Sequence, residues 1–203
     1  MIKKKKIIDN FLKKINSELL KLPFKVTERN KELRQDKLKK IASMLLTDDE
    51  RAEYYGLKKG CRIREGAKIL SPTNLRLGKF CWIGENAIID ASGGLEIGDH
   101  CSIGPSVFIW SHSSHLTNLA MKNEIGSNLI ERKSTKIGNG CFIAGPSVIL
   151  PGVSIGDNVL VRPFTTISRN IPSGSLVDRD TIKENIFTQK FIIRTSKKFK
   201  NKK

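Results

Sequence analysis

The chain has 203 residues, a formal net charge of +17, 28% charged and 38% hydrophobic residues, and few aromatics. That is enough for one main domain with an appendage. No run approaches the ~18 apolar residues of a membrane-spanning helix, and Lys3 to Lys6 are followed by no sustained apolar segment of the kind a secretory signal needs.

The charge sits at the two ends. Residues 1–40 hold 14 basic and 5 acidic residues, residues 179–203 hold 9 and 2, and residues 41–178 hold 14 and 13. No stacking aromatics are interleaved with the lysines and no nucleic-acid-binding motif occurs, so a nucleic-acid partner is not expected. Loose attraction of the basic ends to an anionic membrane surface is the more economical functional reading. Solvated ends without a partner are the plain alternative.

Residues 1–56 read as a helical region. Ile7, Ile8, Phe11, Leu12, Ile15, Leu19 and Leu20 keep helical spacing until Pro23 interrupts. A second amphipathic stretch runs from Asn30 to Leu46, with Leu33, Leu38, Ile41, Met44 and Leu45. Thr47 followed by Glu50 has the capping-box pattern that opens a short third helix. These helices are expected to cap the open end of the β segment that begins at Leu57, whose strand edges would otherwise stay unpaired.

From Leu57 the period changes to six. Leu57, Ile63 and Ile69 are followed by Leu77, Ile83 and Ile89, then Ile97, Ile103 and Ile109. After a gap come Ile137, Ile143, Ile149, Ile155, Val161 and Ile167. Neither a helix nor an alternating strand explains a strict six. Short strands separated by tight turns do, three hexapeptides closing one triangular coil, with coils stacked at roughly 4.8 Å. Ser71-Pro72-Thr73-Asn74 and Ser92-Gly93-Gly94 supply loop residues where the register slips by two. The fold class is therefore mainly β, a parallel β-helix of about five coils over residues 57–176, with a basic segment at 177–203.

Cys61, Cys81, Cys101 and Cys141 each fall four residues after an aliphatic anchor. They read as an inward column of small buried thiols, since no C-x-x-C pair suggests a metal. Free thiols without a disulfide framework fit the cytoplasm.

The period breaks once at length. After Ile109 the next anchor is Ile137, so residues 113–136 form a protruding loop, and insertions in a solenoid lie on one face, often the binding face. Its entrance, Ile109-Trp110-Ser111-His112-Ser113-Ser114-His115, holds two of the three histidines. Histidine exchanges protons near neutrality without special tuning, which makes His112 and His115 candidate bases. His100, at an ordinary corner, reads as structural.

These repeats, the histidine-bearing loop and the run KIGNGCFIAGPSVILPGVSIGDNV resemble the left-handed β-helix hexapeptide-repeat acyltransferases. The closer likeness is to the galactoside, maltose and xenobiotic acetyltransferase group and to surface-polysaccharide O-acetyltransferases. The resemblance implies a left-handed winding, against the usual crossover rule, and a homotrimer with sites between subunits. It implies acetyl-CoA as acyl donor, a carbohydrate acceptor and no metal. His115 matches the family's base better than His112. Ala144, Gly145, Arg162, Thr165 and Arg169 fall where the cofactor is bound, and Asp90, Trp110 and Ser114 where the acceptor is held.

Two departures from the family's pattern stand out: Val161-Arg162-Pro163-Phe164-Thr165, where Arg162 is too large to lie flat under the cofactor and either contacts a phosphate or remodels the groove, and Asp178-Arg179-Asp180-Thr181, which replaces the segment at the nucleotide end of the site. The expected activity is O-acetylation of a surface polysaccharide or its precursor, in the cytoplasm at the inner face of the membrane. N-acetylation of a nucleotide-linked amino sugar and a non-catalytic trimeric scaffold are the alternatives. A zinc-dependent γ-type carbonic anhydrase on the same coils fits poorly, because the histidine spacings of 12 and 3 differ from its ligand pattern.

Overall fold

A computed structural model describes residues 2–19, 21, 27–121 and 129–200. The chain divides into two compact units, Met1–Leu57 and Lys58–Lys203.

In the first unit, helices α1 (Ile2–Leu19) and α2 (Glu28–Met44) pair through Leu12 and Leu38, with Ile8, Ile15 and Leu19 packed around them. Helix α3 (Asp48–Tyr54) opens as its sequence predicts. The Thr47 N–H donates to Glu50 Oε2 at 3.0 Å, satisfying one of the donors a helix start leaves over. Leu20 and Pro23 lie outside the described residues.

The second unit is a parallel β-solenoid of about five coils with three faces. The first face stacks Arg62–Ile63, Trp82–Ile83, Ser102–Ile103, Phe142–Ile143, Leu160–Val161 and Leu176–Asp178. On the second lie Lys68–Leu70, Ile88–Asp90, Phe108–Ile109, Val148–Ile149 and Thr166–Ile167. The third is built from Leu75–Leu77, Leu95–Ile97, Thr135–Ile137 and Ser154–Ile155, and a bridge to Ile171 extends it.

The period of six explains this. In register, Ile63 lies on Ile83, Ile83 on Ile103, Ile103 on Ile143 and Ile143 on Val161. These five residues are buried, so the aliphatic column removes its side chains from water along the first face. The four cysteines line the same interior, fully enclosed. Their thiols reach the carbonyls of Gly78, Gly98, Gly138 and Gly156 at 3.0–3.2 Å. The Cys141 thiol, with enclosure, pushes Cys101 up to about 12 against the opposing pull of the Cys81 thiol, so it stays a thiol and acts as a small packing residue.

At the corner between the third and first faces, Gly60, Phe80, His100, Gly140, Asn158 and Gly174 form a column of left-handed residues. His100 is one of them, and its ring stacks on Phe80 with centroids 5.0 Å apart. This is the structural role its place in the period predicts.

Three boundaries differ from the sequence reading. Leu57 is not an anchor of the stack; the first strand is Arg62–Ile63. Thr135 and Lys136 already belong to the stack, pairing with Leu95 and Glu96. Residues 177 onward are more than a basic tail. Leu176–Asp178 stacks on Leu160–Val161 and folds back antiparallel with Thr181–Lys183, and helix α5 (Gln189–Lys200) follows. The facing pair Val177 and Ile182 is the signal, masked by the surrounding charge.

Candidate functional site

The two slips and the long excursion all fall at one edge, the corner between the second and third faces. Residues 71–74 turn there in the first coil, 91–94 in the second and 111–134 in the third. The two slips and the long excursion are therefore stacked on one another.

The excursion leaves through a two-stranded neck. His112–Ser113 pairs antiparallel with Glu131–Arg132, matching Ser113 to Glu131 and His112 to Arg132. A short helix, α4 (His115–Leu119), follows the outgoing strand. Residues 122–128, within the expected loop of 113–136, lie outside the described residues. The neck is pinned to the stack: Thr135 Oγ1 donates to the Trp110 carbonyl at 2.8 Å, and Lys133 N–H donates to the Ser111 carbonyl at 2.8 Å.

Beneath the neck lies Asp90, completely enclosed. Its Oδ2 is 2.7 Å from His112 Nδ1 and accepts the Ser111 N–H at 2.9 Å and the Ser111 hydroxyl at 3.1 Å. Its Oδ1 accepts the Ser92 N–H at 3.0 Å. Ser92 Oγ also lies 2.9 Å from His112 Nδ1. The backbone must pass very close here. A Cβ on Gly93 would lie 2.0 Å from the Ser111 carbonyl oxygen, so only glycine fits.

Enclosure pushes the Asp90 carboxyl up, but the hydrogen bonds from Ser111, His112 and Ser92 outweigh it and bring it down to about 2. Asp90 is thus an anion near neutral pH. An ionised carboxylate only accepts hydrogen bonds, so the proton between the two groups sits on His112 Nδ1. Nε2 then carries the lone pair, and it is the ring nitrogen that the carboxylate does not hold. The edge of Trp110 meets this ring with centroids 6.3 Å apart.

His115 is placed differently. It is the exposed first residue of α4, and its Nδ1 meets only the Ser113 hydroxyl among the hydrogen bonds described, at 2.8 Å. Ser114, just before it, is exposed. The resemblance ranks His115 ahead of His112 and gives Asp90 to the acceptor. In the structure the carboxylate is enclosed and its bonds go to His112, Ser111 and Ser92. Ser92 and Ser111 are not among the residues the sequence reading singles out. A signal for them exists: a coil of 20 residues puts residue 110 directly over Asp90, and His112 two residues further on.

The residues expected at the cofactor do not form one cluster. Ala144, Gly145, Arg162 and Thr165 lie at the corner between the first and second faces, while Arg169 lies at the same corner as His112, two coils on. Gly145 is required by packing, because a Cβ there would meet the Pro105 carbonyl oxygen of the coil before it. Thr165 is buried, and its Oγ1 accepts the Arg179 N–H at 3.1 Å. Arg162 is exposed and pairs with Asp178 at 3.0 Å; Arg169 donates to the Asp180 carbonyl at 3.1 Å. The turn Asp178-Arg179-Asp180-Thr181, one of the two departures, is therefore tied to Arg162, Thr165 and Arg169 of the preceding coil.

A shallow groove of about 440 Å³ runs along the third face, between Arg76, Glu96, Lys136 and Asn139. None of the residues singled out above lines it. No group of three or more His, Cys, Asp or Glu side chains arranged to hold a metal occurs among the described residues.

Residues 134–169 match the bacterial transferase hexapeptide (six repeats) family, and residues 75–109 match the hexapeptide repeat of succinyl-transferase. Among solved structures, the chain is similar to a hexapeptide-repeat-containing acetyltransferase from Vibrio cholerae complexed with acetyl-coenzyme A. The identity is 22%, covering 79% of this chain and 90% of that one, with a TM-score of 0.58. A maltose O-acetyltransferase from Clostridium difficile is 20% identical over 72% of this chain and 81% of its own, with a TM-score of 0.56. A galactoside acetyltransferase in complex with coenzyme A is 19% identical over 72% and 76%, with a TM-score of 0.53. At these identities the likeness establishes the coil architecture.

Proposed function

We propose that this hexapeptide-repeat protein is an acetyl-CoA-dependent O-acetyltransferase acting on a carbohydrate, with His112 as its general base. The observation that carries the reading is the 2.7 Å contact of His112 Nδ1 with the enclosed Asp90, at the mouth of the long excursion. The donor is supported by the similar structures that hold acetyl-coenzyme A and coenzyme A, and the acceptor class by those acting on maltose and galactosides.

In this mechanism His112 Nε2 takes the proton of a sugar hydroxyl as its oxygen attacks the thioester carbonyl. The C–S bond breaks, and the coenzyme A thiolate leaves with the proton returned by the imidazolium. Asp90 remains ionised throughout and holds Nδ1–H, so the charge that develops on the ring meets a fixed anion. No serine nucleophile or metal is required. Trp110, edge-on to the ring, is an apolar wall for the acceptor.

The position of the two clusters supports a homotrimer. Ala144, Gly145 and Arg162 lie on one edge of the second face and His112 on the other, so one chain does not bring donor and base together. A neighbouring copy packed on that face would. Its outward column is apolar in the middle coils, with Ile88, Phe108 and Val148 half-buried between the exposed Lys68 and Thr166, whereas the third face presents Arg76, Glu96 and Lys136.

The test is thiol release from acetyl-CoA by the full chain, with a panel of hydroxyl and amino sugars. Hydroxyl sugars are expected to be acetylated, His112→Ala to lose about 10²–10⁴ in rate, and His115→Ala to stay within several-fold of wild type. Full activity in His112→Ala would falsify the assignment of the base. Acetylation of amino sugars alone would make the protein an N-acetyltransferase.

A further inference from the structure

Helix α1 carries two apolar rows. One, formed by Ile8, Leu12, Ile15 and Leu19, is consumed by packing around Leu38 of α2. The other, Ile7 and Phe11, lies one turn apart along the helix and stays 69% and 60% exposed. Helical spacing puts Lys14 one turn after Phe11, on the same side. Asp9, the only acidic residue among the first 17, falls on the opposite side.

An exposed pair of large apolar residues in a lysine-rich helix is the composition of a helix that lies in a membrane interface, apolar row down and cations at the phosphates. Crossing is not at issue, since no helix among the described residues is long and apolar enough. We propose that α1 docks this protein flat on a bilayer rich in anionic lipid, with Ile7 and Phe11 seated below the headgroups. Charge complementarity selects that occupant: residues 1–40 hold 14 basic and 5 acidic residues, which a negative leaflet attracts. At this row a second copy would bring the same excess of positive charge and be repelled, unlike at the near-neutral coil stack, where residues 41–178 hold 14 basic and 13 acidic residues. The proposal stands apart from the chemistry at His112.

The test is co-sedimentation of the full chain with phosphatidylcholine vesicles and with vesicles in which part of that lipid is phosphatidylglycerol. Binding is expected to the second only and to weaken as salt rises. Phe11→Asp should lower the bound fraction about tenfold or more, with unchanged helical circular dichroism and unchanged acetyl transfer to a soluble sugar. Phe11→Trp should shift its emission to the blue on anionic vesicles. Equal binding to neutral vesicles, binding indifferent to Phe11→Asp, or no emission shift would each overturn the proposal. So would a changed sedimentation coefficient of soluble Phe11→Asp, which would assign the row to a protein contact instead.

Discussion

Two corners of the same coil stack use short polar side chains in the same way and reach different ends. Between the third and first faces, Asp99 accepts the Lys79 N–H, Asn139 accepts the Asp99 N–H, Asp157 accepts the Asn139 N–H, and Ser173 accepts the Asp157 N–H. Each ties one coil to the next, at the surface. Between the second and third faces, Asp90 also accepts backbone N–H groups of Ser92 and Ser111, but it is enclosed and its remaining capacity goes to an imidazole. The repeated corner is a ladder that any coil can extend. The corner where the register slips has room for a loop above the carboxylate, and a second side chain comes within reach of it.

The contrast breaks most sharply under matched substitutions. Asp90→Asn is expected to cost on the order of 10²-fold in acetyl transfer, since the amide no longer fixes the proton on Nδ1. Asp157→Asn, at the ladder corner, should leave the rate unchanged in the same assay. Loss of activity from both would mean that Asp90 acts only by holding coils together.

The next effect is on stability against pH. Asp90 is depressed to about 2 from an ordinary 3.8. A depressed carboxyl contributes stability fully above its unfolded value and loses it as pH falls through the folded one. Its share, ~2 kcal/mol, should therefore disappear between about pH 4 and pH 2. Urea unfolding across that range checks this, and Asp90→Asn should flatten the slope there.

Smaller still, Asp157→Ala should cost about 1 kcal/mol in unfolding free energy, because Asn139 loses partners that water can partly replace. The subtlest change is Ser92→Ala, which should slow transfer by less than about tenfold, with Asp90 still holding the ring. A loss as large as that of His112→Ala would promote Ser92 from a supporting contact to part of the base.

Much of this architecture is legible without coordinates, because inward-facing aliphatics can recur every six residues only if the chain turns every six. Ile83, Ile103 and Ile143 report their own burial, and so do Cys61, Cys81, Cys101 and Cys141. The missing anchors between Ile109 and Ile137 report where the chain leaves the stack. The capping pair Thr47 and Glu50 is equally local. The hairpin at 176–183 is obscured, because charged turn residues outweigh two short alternating strands in composition.

Which histidine meets a carboxylate is a different kind of fact. Asp90 and His112 are 22 residues apart and touch only because two consecutive coils slip at the same corner. The choice between His112 and its neighbour His115 depends on which one the neck of the excursion turns back over that corner. The same holds for Arg162 and Arg169, seven residues apart yet on opposite edges of one face. Periodicity within the chain determines the coil and the column inside it. Contacts between coils, set by where the irregular turns stack, decide what the column holds up at its edge.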